Sequence, residues 1–303
     1  MHPNPLHPTV ASWPFEMWGT NIVGPFEPPA SNGYRFILAA TDYFSRWSEV
    51  ETFKEIMAEM VIKFFQNNVL YRFGVPRRII SNNGPAYRNN KLLSFTKAHK
   101  IDWRFSSIYN PRANGLAEAF NKTLTKLLKK VVLKNKRNWS TKIPEIMWAY
   151  KTTYKTPTKA TPYQLTSGTE AVLPLELQIP SLRIAIHEGL TADENAMLRL
   201  EELEDLDDKR LQAKQNLELY RARMSRAYDK LVRPRAFTPG ELVLVLKRTK
   251  IVNRKGKGKF DPNWEGPYVI EEAYEGGAYQ LVDTDGVRPM LPINDRYLKK
   301  YHA

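Results

Sequence analysis

Arg77-Arg-Ile-Ile-Ser-Asn-Asn-Gly-Pro85 decides the architecture. Ile79 and Ile80 form a short β-branched run that ends on Asn, Gly and Pro, the residues that turn a chain at the end of a strand. Three β-rich runs precede it, Trp18 to Val23, Tyr34 to Thr41 and Trp47 to Thr52, each set off by Gly, Pro or Asn. A helical stretch from about Lys54 to Phe73 separates them from the quoted strand. A short helix from about Lys91 to His99 and a strand from Ile101 to Ser106 follow. Three strands, then helix, strand, helix, strand and further helices predict an α/β layer sandwich on a mixed sheet.

Downstream, Ala113 to Lys134 reads as a long amphipathic helix. Leu116, Phe120, Leu124, Leu127 and Val131 recur every three or four residues as one apolar stripe, and Lys122, Lys126, Lys129 and Lys130 take the rest of the circumference. From about Thr191 to Leu231 an acidic half gives way to a basic one. Ala213, Leu217, Tyr220, Met224, Ala227 and Leu231 fall as a heptad seam would. The seam fits a linker helix packing on its own chain, with dimerisation through it left open. After Pro234 the pattern changes to short strands, Glu241 to Lys247, Tyr268 to Ala273, Ala278 to Asp283 and Val287 to Leu291, as in a small SH3-like barrel. The expected organisation is a tail over 1–13, a core over 14–175, a helical linker over 176–235 and a barrel over 236–303.

Composition narrows the chemistry. There is no cysteine and there are only five histidines in 303 residues, so thiolate zinc sites and disulfides are excluded and any metal would sit among carboxylates. A formal charge of +14 favours a polyanion partner, nucleic acid or a membrane surface. No apolar run reaches the roughly 20 residues of a membrane span, and the start carries no secretory signal pattern. A soluble intracellular protein is expected, with no membrane partner.

Three segments carry a resemblance: Trp18-Gly-Thr-Asn-Ile-Val-Gly-Pro25, Ile79-Ile-Ser-Asn-Asn-Gly-Pro85 and Tyr109-Asn-Pro-Arg-Ala-Asn-Gly-Leu-Ala-Glu118. Together they resemble the retroviral-type integrase core, specifically that of plant Gypsy-type LTR retrotransposons. Tyr71-Arg-Phe-Gly-Val-Pro76, Thr161-Pro-Tyr163 and Trp264-Glu-Gly-Pro-Tyr268 extend the likeness, the last resembling the GPY/F signature of Gypsy integrase C-terminal domains. The resemblance implies an RNase H-like core with a five-stranded mixed sheet flanked by helices, then a helical linker and an SH3-like DNA-binding barrel. It also implies DNA integration as the function, Mg²⁺ or Mn²⁺ as cofactor, element ends and target DNA as partners, a nuclear location and the prospect of a homo-oligomer.

Such cores carry an Asp in the first strand, an Asp before Asn-Gly after the fourth, and a Glu on the next helix, with thirty-five residues between the last two. Here Asn82 and Glu118 are separated by 118 − 82 − 1 = 35 residues, so the triad positions are Asn21, Asn82 and Glu118. In active relatives three carboxylates hold two divalent ions about 4 Å apart for in-line phosphoryl transfer. An asparagine offers one neutral carbonyl oxygen and cannot bridge two cations. With Glu118 alone charged, the site falls from about −3 to about −1, and loss of 3′-processing and strand transfer is expected. Alternatives are a residual one-metal transferase and a host-domesticated or structural DNA-binding protein on the same fold. Asp42 is the nearest spare acid. If β-pairing through a turn near Gly24 to Gly33 sets Asn21 opposite Phe36, Asp42 lies roughly 20 Å further along at about 3.3 Å per residue.

Read alone, Asn82-Asn83-Gly84 is turn chemistry and Glu118 a helix-dipole acid; their joint spacing raises them above that. Lys122, Lys126, Lys129 and Lys130 beside Glu118, and Arg254, Lys255, Lys257 and Lys259 in the barrel, are the expected phosphate contacts, without sequence readout. The family's N-terminal zinc module has no counterpart, since His2 and His7 lack cysteine partners. A polyprotein fragment or a form without the module is expected.

Overall fold

The computed structural model describes residues 11–106, 114–132, 136–177, 184, 186, 189–230, 237–246, 264–274, 277–283, 285–288 and 292–301. It forms two compact units, one through Tyr220 and one from Arg221. The strand Met17–Val23 (β1) lies at the centre of the first sheet. Phe36–Asp42 (β2) and Ser48–Phe53 (β3) extend it antiparallel on one side. Arg78–Ser81 (β4) and Asp102–Phe105 (β5) extend it parallel on the other, giving the order β3-β2-β1-β4-β5.

The period-two alternation of side chains splits these strands between two cores. Trp18, Leu38, Ala40 and Ile79 face helix Ala58–Phe65 (α1), which continues through a wider π-type turn to Phe73, and helix Asn90–Ala98 (α2). Val61, Phe64, Phe65, Leu92 and Phe95 fill that layer. Ile37 and Ala39 face the other way, onto helix Gly115–Val131 (α3) and helix Ile143–Thr152 (α4), through Phe120, Leu124, Leu128, Ile146 and Met147. Residues from about Lys54 to Met57, expected as helix, precede it; α1 starts after Met57. Thr161 caps the short helix Pro162–Ser167 (α5) by accepting from the Gln164 amide.

The expected linker is one helix, Ala192–Asp229 (α6), opened by a capping box in which Thr191 and Glu194 exchange hydrogen bonds. Ala213 and Leu217 of its seam are buried with Met17, Phe44, Ile80 and Leu165, so this part of the helix packs on its own chain. Tyr220 and Met224, next along the seam, are exposed. No helix among the described residues is long and apolar enough to cross a membrane.

The second unit holds an antiparallel five-stranded sheet in the order β10-β6-β7-β8-β9. Its strands are Leu242–Leu246 (β6), Trp264–Tyr274 (β7), Ala278–Val282 (β8), Ile293–Asn294 (β9) and Leu298–Lys300 (β10). Val243, Val245, Ile270, Leu281, Ile293 and Leu298 supply its core. The strand expected at Val287 to Leu291 is not formed over its described residues. Val287 is 59% exposed beside the turn at Gly286, and the next strand among the described residues begins at Ile293.

One charged group is locked inside the first unit. Glu49 on β3 accepts from Trp47 Nε1 at 2.6 Å and pairs with Arg72 at 2.8 Å and Lys151 at 3.2 Å. The Lys151 ammonium also lies 4.0 Å from the Trp47 ring centroid. Burial pulls the Lys151 pKa down and Glu49 pulls it back up. Glu49→Ala, which strands Lys151 without its counter-ion, is expected to cost about 3 kcal/mol of unfolding free energy in urea titrations.

Candidate functional site

Two strand registers bring the site together. β1 and β4 run parallel with Thr20 beside Ser81, so the next residue on each, Asn21 and Asn82, emerge side by side. Asn82 Nδ2 donates to Asn21 Oδ1 at 2.8 Å. The same Asn21 oxygen accepts from the Ile22 amide at 2.8 Å, and Asn82 Oδ1 accepts from the Gly84 amide at 3.3 Å. The β4 end is itself braced, since Trp103 Nε1 donates to Ser81 Oγ, which donates to the Asn82 carbonyl.

Helix α3 supplies the third position. Asn114, buried just before it, does not cap the helix; its Nδ2 instead crosses to the Thr20 carbonyl at 2.9 Å. That close approach explains Gly19. A Cβ there would lie 2.9 Å from Tyr43 Cε2 and 3.0 Å from Asn114 Oδ1, too tight to accommodate without a shift. Ala117 sits beside Gly19, and Phe120 packs in one cluster with Ala39, the residue paired with Asn21. The turn bearing Glu118 therefore rides over the Asn21 end of β1. Glu118 is half-buried and forms no ion pair among the described residues. The structure thus joins Asn21 to Asn82 and packs the helix that carries Glu118 against the strand of Asn21.

Residues 11–111 match the family described as "Integrase core domain", and residues 237–302 match a "Domain of unknown function (DUF8803)". The Tf2-3 and Tf2-4 transposon polyproteins of Schizosaccharomyces pombe are each 27% identical over 278 residues, covering 90% of this chain and 20% of the polyprotein. Over its core the chain is similar to the integrases of LTR retrotransposons. It spans about a fifth of the length of the curated relatives it matches. A chain of the simian T-cell lymphotropic virus intasome, solved with the PP2A regulatory subunit B56 gamma, superposes with a TM-score of 0.57 at 18% identity. The alignment covers 100% of this chain and 84% of that one, and the likeness is one of fold.

Integrase cores of this family typically use Mg²⁺. The Asn21 and Asn82 side chains do not fit a pair of divalent ions. Both carboxamide oxygens already accept hydrogen bonds within the protein, and one amide of the pair is spent on the other. Among the described residues no three His, Cys, Asp or Glu side chains come together as a metal-holding group.

Asp42 lies nearer than the sequence suggested. The observed register sets Asn21 opposite Ala39, not Phe36, and Asp42 opposite Trp18. Asp42 is therefore about 10 Å along the strand from the partner of Asn21, not 20 Å. The extra residues go into the loop between β1 and β2, which closes on itself through Phe26 N–H to the Arg35 carbonyl and Ala30 N–H to the Tyr34 carbonyl. Asp42 still supplies no ligand, for a different reason. It is fully buried, and its carboxylate accepts from the Ser45 amide and hydroxyl, both at 2.7 Å, and from the Phe15 amide at 3.0 Å.

Lys122, Lys126, Lys129 and Lys130 share one exposed face of α3 and, with half-buried Thr125 and buried Asn121, border an open hollow of about 610 Å³. None of the four lysines forms an ion pair among the described residues. Arg254, Lys255, Lys257 and Lys259 lie outside the described residues, as do Tyr109 to Ala113 of the third motif and His2 and His7. The Asn114 crossing has no sequence signature of its own, because Asn before Gly at a helix start reads as a cap.

Burial pushes the Asp42 carboxyl up to about 6, against hydrogen bonds from Ser45, Phe15 and Phe44 that lower it. A folded-state pKa above the unfolded value means the folded chain takes up the proton first. Stability gains from Asp42 as pH falls through about 6 and is held down above it. Between pH 7 and 5 the wild-type chain should gain about 1 kcal/mol that an Asp42→Asn variant does not, read from urea unfolding at the two pH values.

Proposed function

We propose that this integrase has kept its fold and its DNA-binding face but has exchanged its metal site for a neutral amide pair, so that it binds DNA without cutting or joining it. The observation that carries the reading is the 2.8 Å bond from Asn82 Nδ2 to Asn21 Oδ1. Two carboxylates with oxygens that close would repel by several kcal/mol even at an effective dielectric near 20, and would need cations between them. Two carboxamides satisfy each other instead. Glu118 then stays a lone charge at the head of a lysine-lined helix.

The α3 lysines supply the rest. Unpaired ammonium groups on one open face suit a phosphate backbone and carry no base readout. On this reading the partners are element ends or other DNA, the working location is the nucleus, and self-association and descent from a plant Gypsy-type element are further parts of the same proposal.

Strand transfer by wild-type chain and by an Asn21→Asp, Asn82→Asp double variant, in Mg²⁺ and in Mn²⁺, tests the site. Joining is expected from the double variant alone; joining by the wild-type chain that is lost in Glu118→Ala would sink the reading. The same double variant in chelator should be about 1–3 kcal/mol less stable than wild type. Added Mg²⁺ should raise its Tm while leaving the wild-type Tm in place. Lys122→Ala and Lys126→Ala should each cut the slope of log affinity against log salt by about 0.9 on duplex DNA, without changing sequence preference.

A further inference from the structure

Beside the C-terminal half of α3 lies a second hollow that the amide site does not use. It encloses about 450 Å³ between α3 and the loop after β1. Its walls are Phe26, Leu128, Val132 and Trp139, with Lys129 and Lys136 at the rim. The Phe26 and Trp139 rings pack with centroids 4.7 Å apart and form one aromatic wall. Trp139 is 3% exposed, and its indole N–H has no acceptor among the described residues. Neither lysine forms an ion pair among those residues, and the acid in the lining, Glu27, is tied to Arg35. The slot thus combines an apolar interior with two uncompensated positive charges.

We propose that this slot binds one unstacked nucleotide, its base against the Phe26–Trp139 wall and its phosphate on Lys129 and Lys136. The inference rests on the DNA-binding reading above and extends it to unpaired nucleotides. The volume falls within the range of small-ligand sites, and an aromatic wall accepts any base because every base has a π face. Position supplies the rest. Thr125 and Lys129 border both this slot and the lysine face, so a strand whose phosphates lie on Lys122 and Lys126 reaches the slot without leaving α3. Bases stacked within a duplex cannot enter it, whereas a single-stranded overhang or a free nucleotide can.

Fluorescence anisotropy with the full chain tests this, comparing a blunt duplex with the same duplex bearing a four-nucleotide overhang. The overhang should bind about tenfold more tightly, the gain expected of one stacked base. Phe26→Ala should remove that gain and leave blunt-duplex binding in place. Should that variant fold poorly, Lys136→Gln, at an exposed position, should still shrink the gain. Bromouracil in the overhang should photo-cross-link to the peptides containing Phe26 or Trp139. Competition by free dAMP for the overhang increment would show that a mononucleotide suffices; its failure, with the cross-link present, would assign the slot to strands alone. Equal affinity for blunt and overhang DNA, with Lys122→Ala weakening both, would overturn the slot and leave the DNA-binding reading standing. Absence of binding to either DNA would overturn both.

Discussion

The parallel pairing of β1 with β4 is the constraint on which the site depends. Met17 beside Arg78 and Thr20 beside Ser81 fix the two strands so that Asn21 and Asn82 leave the sheet at one end, within hydrogen-bonding reach. Parallel neighbours need a crossover, and the chain supplies it through β2, β3 and α1 before β4 returns to the central strand. Trp18 and Ile79, fully buried on one face, hold that crossover in place. What the sheet presents at its end then depends on two side chains, and in this chain both are neutral.

The consequence is electrostatic. A cluster of carboxylates is costly without its cations, and apo forms of such sites carry mutual repulsion into the folded state. The amide pair removes that cost. Asn82 donates, Asn21 accepts, and the remaining oxygens find the Ile22 and Gly84 amides. The tether from Asn114 to the Thr20 carbonyl and the close fit at Gly19 need no metal either, so helix α3 stays seated on β1 with the charge gone. A neutral pair in that place is compatible with an intact fold.

Much of this could be read from the residues. The β-branched runs, the turn at Asn82-Asn83-Gly84 and the apolar stripe of Phe120, Leu124 and Leu127 placed the sheet and the helix, and the motifs singled out Asn21 and Asn82, which the fold sets side by side. Register was harder. Asn21 was set three residues from its true partner, because the loop between β1 and β2 spends its length on internal hydrogen bonds that no periodicity reports. The last strands of the barrel failed for a similar reason. Val287 has the composition of a strand residue but sits by a glycine turn, and two-residue and three-residue strands are too short to carry an alternation. Asn114 and the Phe26–Trp139 wall were invisible because each joins residues 94 or more than 100 positions apart.

On the proposed reading the lysine face and the metal site answer different demands, so that one can persist without the other. Phosphate attraction depends on several exposed charges acting at range and tolerates the loss of any one. Metal-assisted transfer depends on a few ligands held in one geometry, and a single neutral replacement removes an interaction that no neighbour can supply. Asp42 shows the point. It lies within about 10 Å along the strand, carries an acid of the right type, and is unusable because its oxygens already cap the Ser45 turn. A spare carboxylate in a folded core is committed to its own hydrogen bonds, so proximity in sequence or in space does not restore a ligand set once its members are gone.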